Sequence, residues 1–267
     1  MDLALDDRVA IVTGGSKGIG YGCAEALAAE GCTLSICARH RDELEAAAAD
    51  LEAAYGVAVE PVVADLTVDD DIDTLVERTI DAFGTVDVLV NNAGTVGTPG
   101  GLDDNTTQDW RDLFELNLFA VVTLTRTVVP HMREQGWGRI INISSENGEQ
   151  PYPDMMAYSA SKGALNNFGK ALSKEVADDG ILVNTVSPAF IETPLVNEMM
   201  AEAAEAQDIS VDEMVEQFLA ERRPHIEVGR PGEIEEVGSL VAFLASEHAS
   251  FVNGANYRVD GGSVAAM

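Results

Sequence analysis

The segment RVAIVTGGSKGIG, residues 8–20, decides the fold of this chain. An apolar, β-favouring run stops at Gly14, and a glycine-rich turn then leads into a helical pattern that continues to Ala29. Glycines let a backbone approach a pyrophosphate closely, and the amino end of a helix offers it free NH groups. The spacing G-x-x-x-G-x-G differs from the common dinucleotide fingerprint G-x-G-x-x-G. By itself, the segment is therefore weak evidence for a nucleotide site.

The rest of the chain repeats this strand–helix unit. Apolar strands alternate with helices, which predicts one doubly wound α/β domain over residues 1–267, with helices on both faces of a parallel sheet of about seven strands. Strands are predicted at residues 8–13, 33–38, 57–63, 86–90, 139–143, 182–186 and 255–259. Helices are predicted up to residue 29 and at 41–55, 68–83, 108–133, 157–178 and 233–245.

Residues 194–229 interrupt the alternation. This stretch is rich in methionine, alanine and acidic residues, and it predicts one or two amphipathic helices placed as a lid over a substrate site. Right-handed crossovers bring the carboxyl ends of parallel strands to one edge of the sheet, where ligands bind in open α/β folds. The glycine-rich turn, Asp65, the sequence NNAG at 91–94 and Ser145 all follow strands, so we expect one site at that edge.

Composition excludes several classes of protein. Hydrophobic residues make up 46% of the 267, enough for a buried core. We find no apolar run of the roughly 18 residues that span a bilayer, and the amino-terminal residues are acidic rather than basic. We therefore expect a cytoplasmic protein without a membrane partner. The three cysteines lack the spacing of a zinc site or disulfide framework, so no metal is expected and the thiols should be reduced and mostly buried.

The charge of the chain is its most unusual property. There are 46 acidic residues against 16 basic ones, a net charge of −30, and the acids are spread along the whole length. Such a surface repels phosphate backbones, which argues against nucleic-acid partners. Screening at molar salt relieves the self-repulsion of such a surface. We interpret the composition as an adaptation to high salt.

The cofactor preference is predicted from two cations. The end of the second strand meets the adenosine ribose in dinucleotide folds, and an acidic residue there selects the 2′-hydroxyl of NAD. This chain has Ala38 followed by Arg39, and Lys17 lies in the glycine-rich turn. Both cations are able to pair with a 2′-phosphate. The alternative is that Arg39 only begins a solvated helix. We expect NADP, with NAD as the alternative cofactor.

The segment from Ser145 to Lys162 carries the chemistry. Tyr158 and Lys162 stand four residues apart at the start of a predicted helix, and so face the same way. A phenol ionises near pH 10, and a neighbouring ammonium favours the phenolate. Ser145 is placed to bind a carbonyl or alcohol oxygen. Taken alone, the same residues more often prove to be a buried tyrosine, a surface lysine and a loop serine.

Several motifs that occur in order and in register along the chain favour the catalytic interpretation of these residues instead. They are Thr13 to Gly20, Asp65, Asn91 to Gly94, Asn117, Ser145 and the YSASK sequence at 158–162. Over nearly its whole length the chain resembles the short-chain dehydrogenase/reductase family, in the branch of enzymes similar to 3-oxoacyl-carrier-protein reductases. The resemblance implies a single-domain Rossmann fold, a homotetramer and reversible hydride transfer between a nicotinamide cofactor and a small carbonyl or alcohol substrate.

The resemblance also implies residue roles. Tyr158 is the general acid or base, Ser145 binds the substrate oxygen, and Lys162 holds the nicotinamide ribose and lowers the pKa of Tyr158. Asn117 breaks its helix locally and holds a water that relays protons. The expected cofactor-binding residues are Gly14, Ser16, Lys17, Gly18, Ile19, Gly20, Arg39, Asp65, Leu66, Asn91, Ala93, Gly94, Tyr158, Lys162, Pro188, Ile191 and Thr193.

Two positions depart from the family pattern. Ala189 replaces the glycine that usually follows the proline of the sixth strand, and Glu146 follows the candidate catalytic serine where small or apolar residues are common. Glu146 is expected either to face solvent or to accept a hydrogen bond from a hydroxylated substrate.

The substrate is left between several classes. A 3-oxoacyl thioester, a sugar or polyol and a steroid are all compatible with the motifs. Thioester carriers are anionic and would be repelled by this surface, unless salt screens it or Arg222, Arg223 and His225 offset it locally. A non-catalytic nucleotide sensor on the same fold is the alternative from a different class.

Overall fold

In the computed structural model, which describes residues 3–265, seven strands form one parallel sheet in the order β3-β2-β1-β4-β5-β6-β7. The strands are β1 (Val9–Thr13), β2 (Thr33–Ala38), β3 (Val59–Val63), β4 (Val88–Asn91), β5 (Gly138–Ile143), β6 (Ile181–Pro188) and β7 (Asn256–Val259). The predicted doubly wound sheet is confirmed. Predicted and observed strand ends differ by no more than two residues.

The helices lie on both faces of the sheet. They are α1 (Gly18–Ala29), α2 (Arg41–Tyr55), α3 (Asp69–Phe83), α4 (Thr107–Phe114), α5 (Ala120–Gln135), α6 (Met156–Glu175), α7 (Pro194–Gln207), α8 (Val211–Arg222) and α9 (Ile234–Ala245). From β1 the chain winds outward to β3, returns to β4, and then winds outward the other way to β7. The edge between β1 and β4 is therefore the point where the winding reverses and where ligands bind in such folds.

Strand β1 shows why the sheet needs cover on both faces. Ala10 and Val12 pack with one apolar layer, which includes residues of α1, α2 and α9. Ile11, between them, points into the opposite layer with residues of α3 and α5. All three side chains are fully buried. An uninterrupted apolar strand in the sequence is thus the consequence of two buried faces.

The single helix predicted at 108–133 is two helices with a wider turn between them. Thr106 caps α4 by accepting from the backbone NH of Asp109, and residues 115–119 wind with one extra residue per turn before α5 begins. Contrary to the expectation from the sequence, the stretch 107–135 is long and apolar enough to cross a membrane by length and composition alone, and 44% of its most apolar window is buried inside the protein. Its apolar residues, such as Leu124 and Val128, belong to the core beneath the sheet.

Two helices, α7 and α8, make up the predicted lid segment 194–229. Thr193 and Ser210 cap them, each accepting a backbone NH three residues on. Met200, Ala204 and Met214 form a small core between the two helices, separate from the two layers of the sheet. The ring of Phe190 lies 4.7 Å from that of Phe218 and joins the lid to the end of β6.

The three cysteines are buried and free, as predicted. Burial raises the pKa of each thiol to about 12. Among residues 3–265 no group of three or more potential ligands is arranged to hold a metal ion.

Candidate active site

The glycine-rich turn between β1 and α1 takes a shape that other residues resist. Gly14 and Gly18 have φ angles of 65° and 59°, in the left-handed region. A Cβ on Gly20 would overlap the carbonyl oxygen of Gly14, so the turn closes tightly on the first turn of α1. The backbone of residues 14–20 therefore forms a cradle at a helix amino end, as a pyrophosphate requires.

Thr13 and Asn92 fasten this cradle to the next strand. The Thr13 Oγ1 accepts from the backbone NH groups of Asn92 and Ala93 at 2.9 and 3.0 Å, and it donates to the Val90 carbonyl. The Asn92 amide donates back to the Thr13 carbonyl at 2.8 Å. Sequence reasoning did not assign a role to either side chain, although both lie inside the quoted motifs. Their polarity at adjacent strand ends was the available signal.

Asn91 lies at the same strand end but its side chain points into the protein. It is 2% exposed and donates to Asn142 Oδ1 at 2.9 Å. Its side chain therefore supports the pairing of β4 with β5, and only its backbone is left at the sheet edge.

The expected adenosine end is lined by charged groups at the ends of β2 and β3. Arg39 is exposed, and within residues 3–265 it has no ion-pair partner. Lys17 is paired with Glu43, 3.1 Å away, on the first turn of α2. Asp65 accepts from the Thr67 NH and hydroxyl, and these bonds, aided by the charge of Arg39, lower the pKa of its carboxyl. Leu66 is buried beside it.

Asn117 ties three elements together at the centre of the edge. Its amide donates to the Thr95 carbonyl at 2.8 Å and to Ser161 Oγ at 3.1 Å, and its Oδ1 accepts from the Thr95 NH at 2.9 Å. It lies in the wide turn at 115–119, which confirms the expected local break of the helix. Such turns often mark functional sites because they free backbone carbonyls.

Lys162 lies next to this group on α6. Its ammonium is buried, donates to the Ile143 carbonyl at 2.9 Å, and would be 3.5 Å from a Cβ on Gly94. Burial lowers the pKa of Lys162 to about 8. The lysine is thus a buried cation between the ends of β4 and β5, and the interpretation of it as a surface residue is excluded.

Tyr158 lies one helical turn before Lys162, with its ring centroid 5.7 Å from the ammonium. Burial raises the pKa of the phenol, a hydrogen bond from Ser145 opposes that rise, and the charge of Glu146 adds to it. The Lys162 ammonium donates to the Ile143 carbonyl at 2.9 Å.

Glu146 is where the structure corrects the sequence prediction most clearly. It does not face solvent, because it is only 2% exposed. Its Oε1 accepts from the Tyr152 hydroxyl at 3.1 Å and lies 3.9 Å from Nε of Arg223. Burial, the largest cause, raises the pKa of this carboxyl.

The chain after β6 returns to the glycine-rich turn. Pro188 is buried, Ile191 pairs with Gly232, and Thr193 caps α7. A Cβ on Gly18 would lie 3.5 Å from Cγ2 of Thr193, so α7 starts directly against the glycine-rich turn. Arg39, the cradle, Ser145 and Tyr158 thus follow strand ends along one edge of the sheet.

These features meet the needs of a nicotinamide dinucleotide. The cradle lacks Cβ atoms where a pyrophosphate would approach, a cation stands at the adenosine end, and a buried ammonium and a phenol stand at the other. The geometry suits hydride transfer to a carbonyl carbon with a proton supplied from the phenol.

Comparison with known proteins decides the family. Residues 8–204 match the short chain dehydrogenase family. This chain is a short-chain dehydrogenase. It is 33% identical over 262 residues to the D-β-hydroxybutyrate dehydrogenase of Cupriavidus necator, covering 98% of this chain and 99% of that one. It is 34% identical to the 3-oxoacyl-acyl-carrier-protein reductase of Aquifex aeolicus, with the same coverage.

A solved structure is similar over the full length of both chains. The L-sorbose reductase of Gluconobacter frateurii, in complex with NADPH and L-sorbose, has a TM-score of 0.95 and 35% identity, with 100% of each chain covered. As a member of this family, the protein is an NAD(P)-dependent oxidoreductase that interconverts a secondary alcohol and a ketone.

Proposed function

We propose that this short-chain dehydrogenase is an NADPH-dependent reductase of a small ketone, with Tyr158 as the proton donor. One observation supports this proposal above all others. At the ends of the strands, beside the glycine-rich turn, the chain brings together four polar side chains: Asn117, Ser145, Tyr158 and Lys162. Ser145 hydrogen-bonds the substrate oxygen and steadies its developing negative charge. Tyr158 delivers the proton to that oxygen, and the nicotinamide supplies the hydride.

The cofactor is held along the groove by this chain's own groups. Gly14, Ser16, Gly18, Ile19 and Gly20 offer backbone to the pyrophosphate. Lys162 binds the nicotinamide ribose, and Asn117 holds its helix turn open for a water that relays protons to the lysine. The remaining contacts are assigned to Asp65, Leu66, Asn91, Ala93, Gly94, Pro188, Ile191 and Thr193.

The preference for NADP rests on Arg39. It is exposed at the end of β2 and has no ion-pair partner within residues 3–265, so its guanidinium is available for a 2′-phosphate. Lys17 contributes less, because Glu43 already neutralises much of its charge. The solved L-sorbose reductase, which is similar over its full length, was crystallised with NADPH.

The substrate we favour is a small, hydroxyl-bearing ketone. The segment after Ser145 is polar, and the similar solved structure holds L-sorbose. A 3-oxoacyl thioester is the second candidate, because a 3-oxoacyl-carrier-protein reductase matches 98% of this chain. The lid arginines give that candidate no support, since Arg222 is paired with Asp154 and Arg223 lies beside Glu146. Arg223 is therefore buried beside Glu146 and unavailable to an anionic carrier, and Arg222 already has an acidic partner on the surface.

The test is a panel of carbonyl compounds with NADPH and with NADH, monitored by loss of the reduced cofactor. We expect L-sorbose or a related ketose to be reduced faster than acetoacetyl-CoA or a plain alkyl ketone, and NADPH to be preferred. Rapid turnover of the thioester would favour the second candidate. Tight NADPH binding without turnover of any compound would instead support a nucleotide sensor.

We also propose a homotetramer in the cytoplasm, assembled through the outer faces of α4, α5 and α6 and the carboxyl-terminal segment. Phe119 and Met156 are 52% and 37% exposed on those faces, and a second subunit would cover them. The last two residues of the carboxyl-terminal segment lie outside the described part of the chain. Mass measurement of the purified protein at high salt tests the assembly.

A further inference from the structure

Glu146 is a buried carboxylate to which the proposed chemistry gives no role. It follows Ser145 directly and is 2% exposed. The Tyr152 hydroxyl donates to its Oε1 at 3.1 Å, while its buried Oε2 has no partner in hydrogen-bond geometry within the described part of the chain. Because burial strips a carboxylate of water, an ionised Glu146 needs a compensating cation.

The lid supplies that cation. Arg223 directly follows helix α8 as its carboxyl-terminal cap, and its Nε lies 3.9 Å from Glu146 Oε1. The guanidinium is 4.3 Å above the Tyr152 ring and 5.5 Å from the Phe218 ring, and the side chain is only 14% exposed. The neighbouring Arg222 instead pairs with Asp154 and is largely exposed. Arg223 is therefore buried against the site, whereas Arg222 stays in solvent.

The charged and titratable groups around this pair belong to four segments. Tyr158 on α6 feels the charge of Glu146, and Lys162 is turned toward the Ile143 carbonyl. Tyr152 and Arg223 face the carboxylate from one side.

From the carboxyl-terminal segment, Asp260 adds negative charge and the Ser263 hydroxyl faces the carboxylate. The charge of Arg223 opposes the rise in the pKa of Glu146.

Building on the proposed role of Tyr158, we propose that Glu146 and Arg223 are positioning residues for the proton transfer. The carboxylate disfavours the ionised phenol, and Arg223 offsets this effect when the lid is docked. Closing the lid therefore makes Tyr158 a stronger proton donor at the moment when substrate is enclosed. The lid therefore controls the acidity of Tyr158 as well as the access of substrate to the groove.

The test is the pH profile of kcat/KM for ketone reduction in wild type, Glu146→Gln and Arg223→Met. Reduction needs the protonated phenol, so activity falls as pH rises through the pKa of Tyr158. We expect Glu146→Gln to move that falling limb down by about one pH unit and Arg223→Met to move it up. When Arg223→Met is added to the Glu146→Gln variant, it should move the falling limb of the pH profile much less than it does when introduced into wild type.

Matched controls separate this role from simple damage to the lid. Arg222→Met alters the neighbouring lid arginine, and Glu149→Gln removes an exposed carboxylate from the same segment as Glu146; both should keep the wild-type profile. Arg223→Lys keeps the charge and should restore most of the profile lost in Arg223→Met. Shifts in the same direction for Glu146→Gln and Arg223→Met, or no shift in either, would overturn the proposal.

A second readout needs no substrate. Hydrogen–deuterium exchange of α8 in the cofactor-free protein should rise in both Arg223→Met and Glu146→Gln, because each removes one half of the docking contact. Unchanged exchange in both would overturn the docking of the lid through this pair. If wild type turns over no ketone, the proposed function fails, and this measurement still tests the contact.

Discussion

The buried ammonium of Lys162 lowers the stability of the folded protein, while the proposed reaction requires it. Burial lowers the pKa of its ammonium from 10.5 to about 8. Below pH 8 the folded protein carries a buried charge that the unfolded chain would keep in water, so the folded state is penalised there. The penalty is relieved as pH rises from 8 toward 10.5, because the unfolded chain then holds the extra proton.

We therefore expect Lys162→Met to be inactive but more stable. Its free energy of unfolding at pH 7 should rise by on the order of 1–3 kcal/mol, and the gain should shrink as pH rises toward 10. Denaturant unfolding at pH 7 and pH 10 measures this. Lys174→Met, at an exposed position near the end of the same helix, is the control and should leave stability nearly unchanged. A loss of stability in Lys162→Met at pH 7 would refute this interpretation.

Arg39 is the second residue with a sharp test. Replacing it with aspartate removes the partner of a 2′-phosphate and places a carboxylate near the ribose hydroxyls. We expect Arg39→Asp to lower the ratio of kcat/KM for NADPH over NADH at least about tenfold. Arg41→Ala is the control, because Arg41 pairs with Glu45 on the surface of α2. An unaltered ratio in Arg39→Asp would show that the selector lies elsewhere.

Residue roles were predictable where spacing alone sets the geometry. Tyr158 and Lys162 share a face because four residues make one helical turn, whatever the rest of the chain does. The burial of Glu146 was not predictable in the same way. Its cover comes from Arg223 and the carboxyl-terminal segment, which reach it only after the lid and β7 have packed.

At the scale of elements, the glycine-rich turn is the most demanding piece of backbone. Gly20 has no room for a Cβ against the Gly14 carbonyl, whereas a Cβ on Gly163 of α6 would meet only ordinary contact at 3.5 Å. We expect Gly20→Ala to weaken NADPH binding strongly, because the turn must open to admit the methyl group. Gly163→Ala should bind normally and be equally or more stable, since alanine favours helix.

Fluorescence titration with NADPH distinguishes the two variants. Equal affinity in Gly20→Ala and wild type would contradict the cradle assigned to residues 14–20. Circular dichroism of each variant confirms that a loss of binding is not a loss of fold.

Strands and most helices were predictable because their apolar patterns follow from burial on two faces or one. The wide turn at 115–119 has no such local pattern, and only the family resemblance pointed to a break at Asn117. The turn is held by bonds from Asn117 to Thr95 and Ser161, which come from distant segments. Tertiary contacts, rather than local preference, decide that part of the helix.

For the whole molecule, the doubly wound parallel sheet follows from the alternation of strands and helices, but the behaviour of the surface does not. A net charge of −30 on 267 residues implies strong self-repulsion in dilute buffer. We expect the protein to lose stability at low salt and to recover it at about 1–3 M KCl, where the Debye length falls to roughly 3 Å.

Thermal unfolding across a KCl series checks this, with an equal series in a neutral osmolyte as the control. Recovery in KCl but not in the osmolyte would support charge screening. A transition temperature independent of KCl would contradict an adaptation to high salt.

Ketone reduction by wild type and by Tyr158→Phe, with the same substrate and NADPH, tests most directly whether Tyr158 is the proton donor. The variant keeps the ring and loses only the proton donor. We predict that turnover falls by at least about 10²-fold while NADPH affinity stays within a few-fold of wild type. Turnover close to that of wild type would contradict the assignment of Tyr158 as the acid.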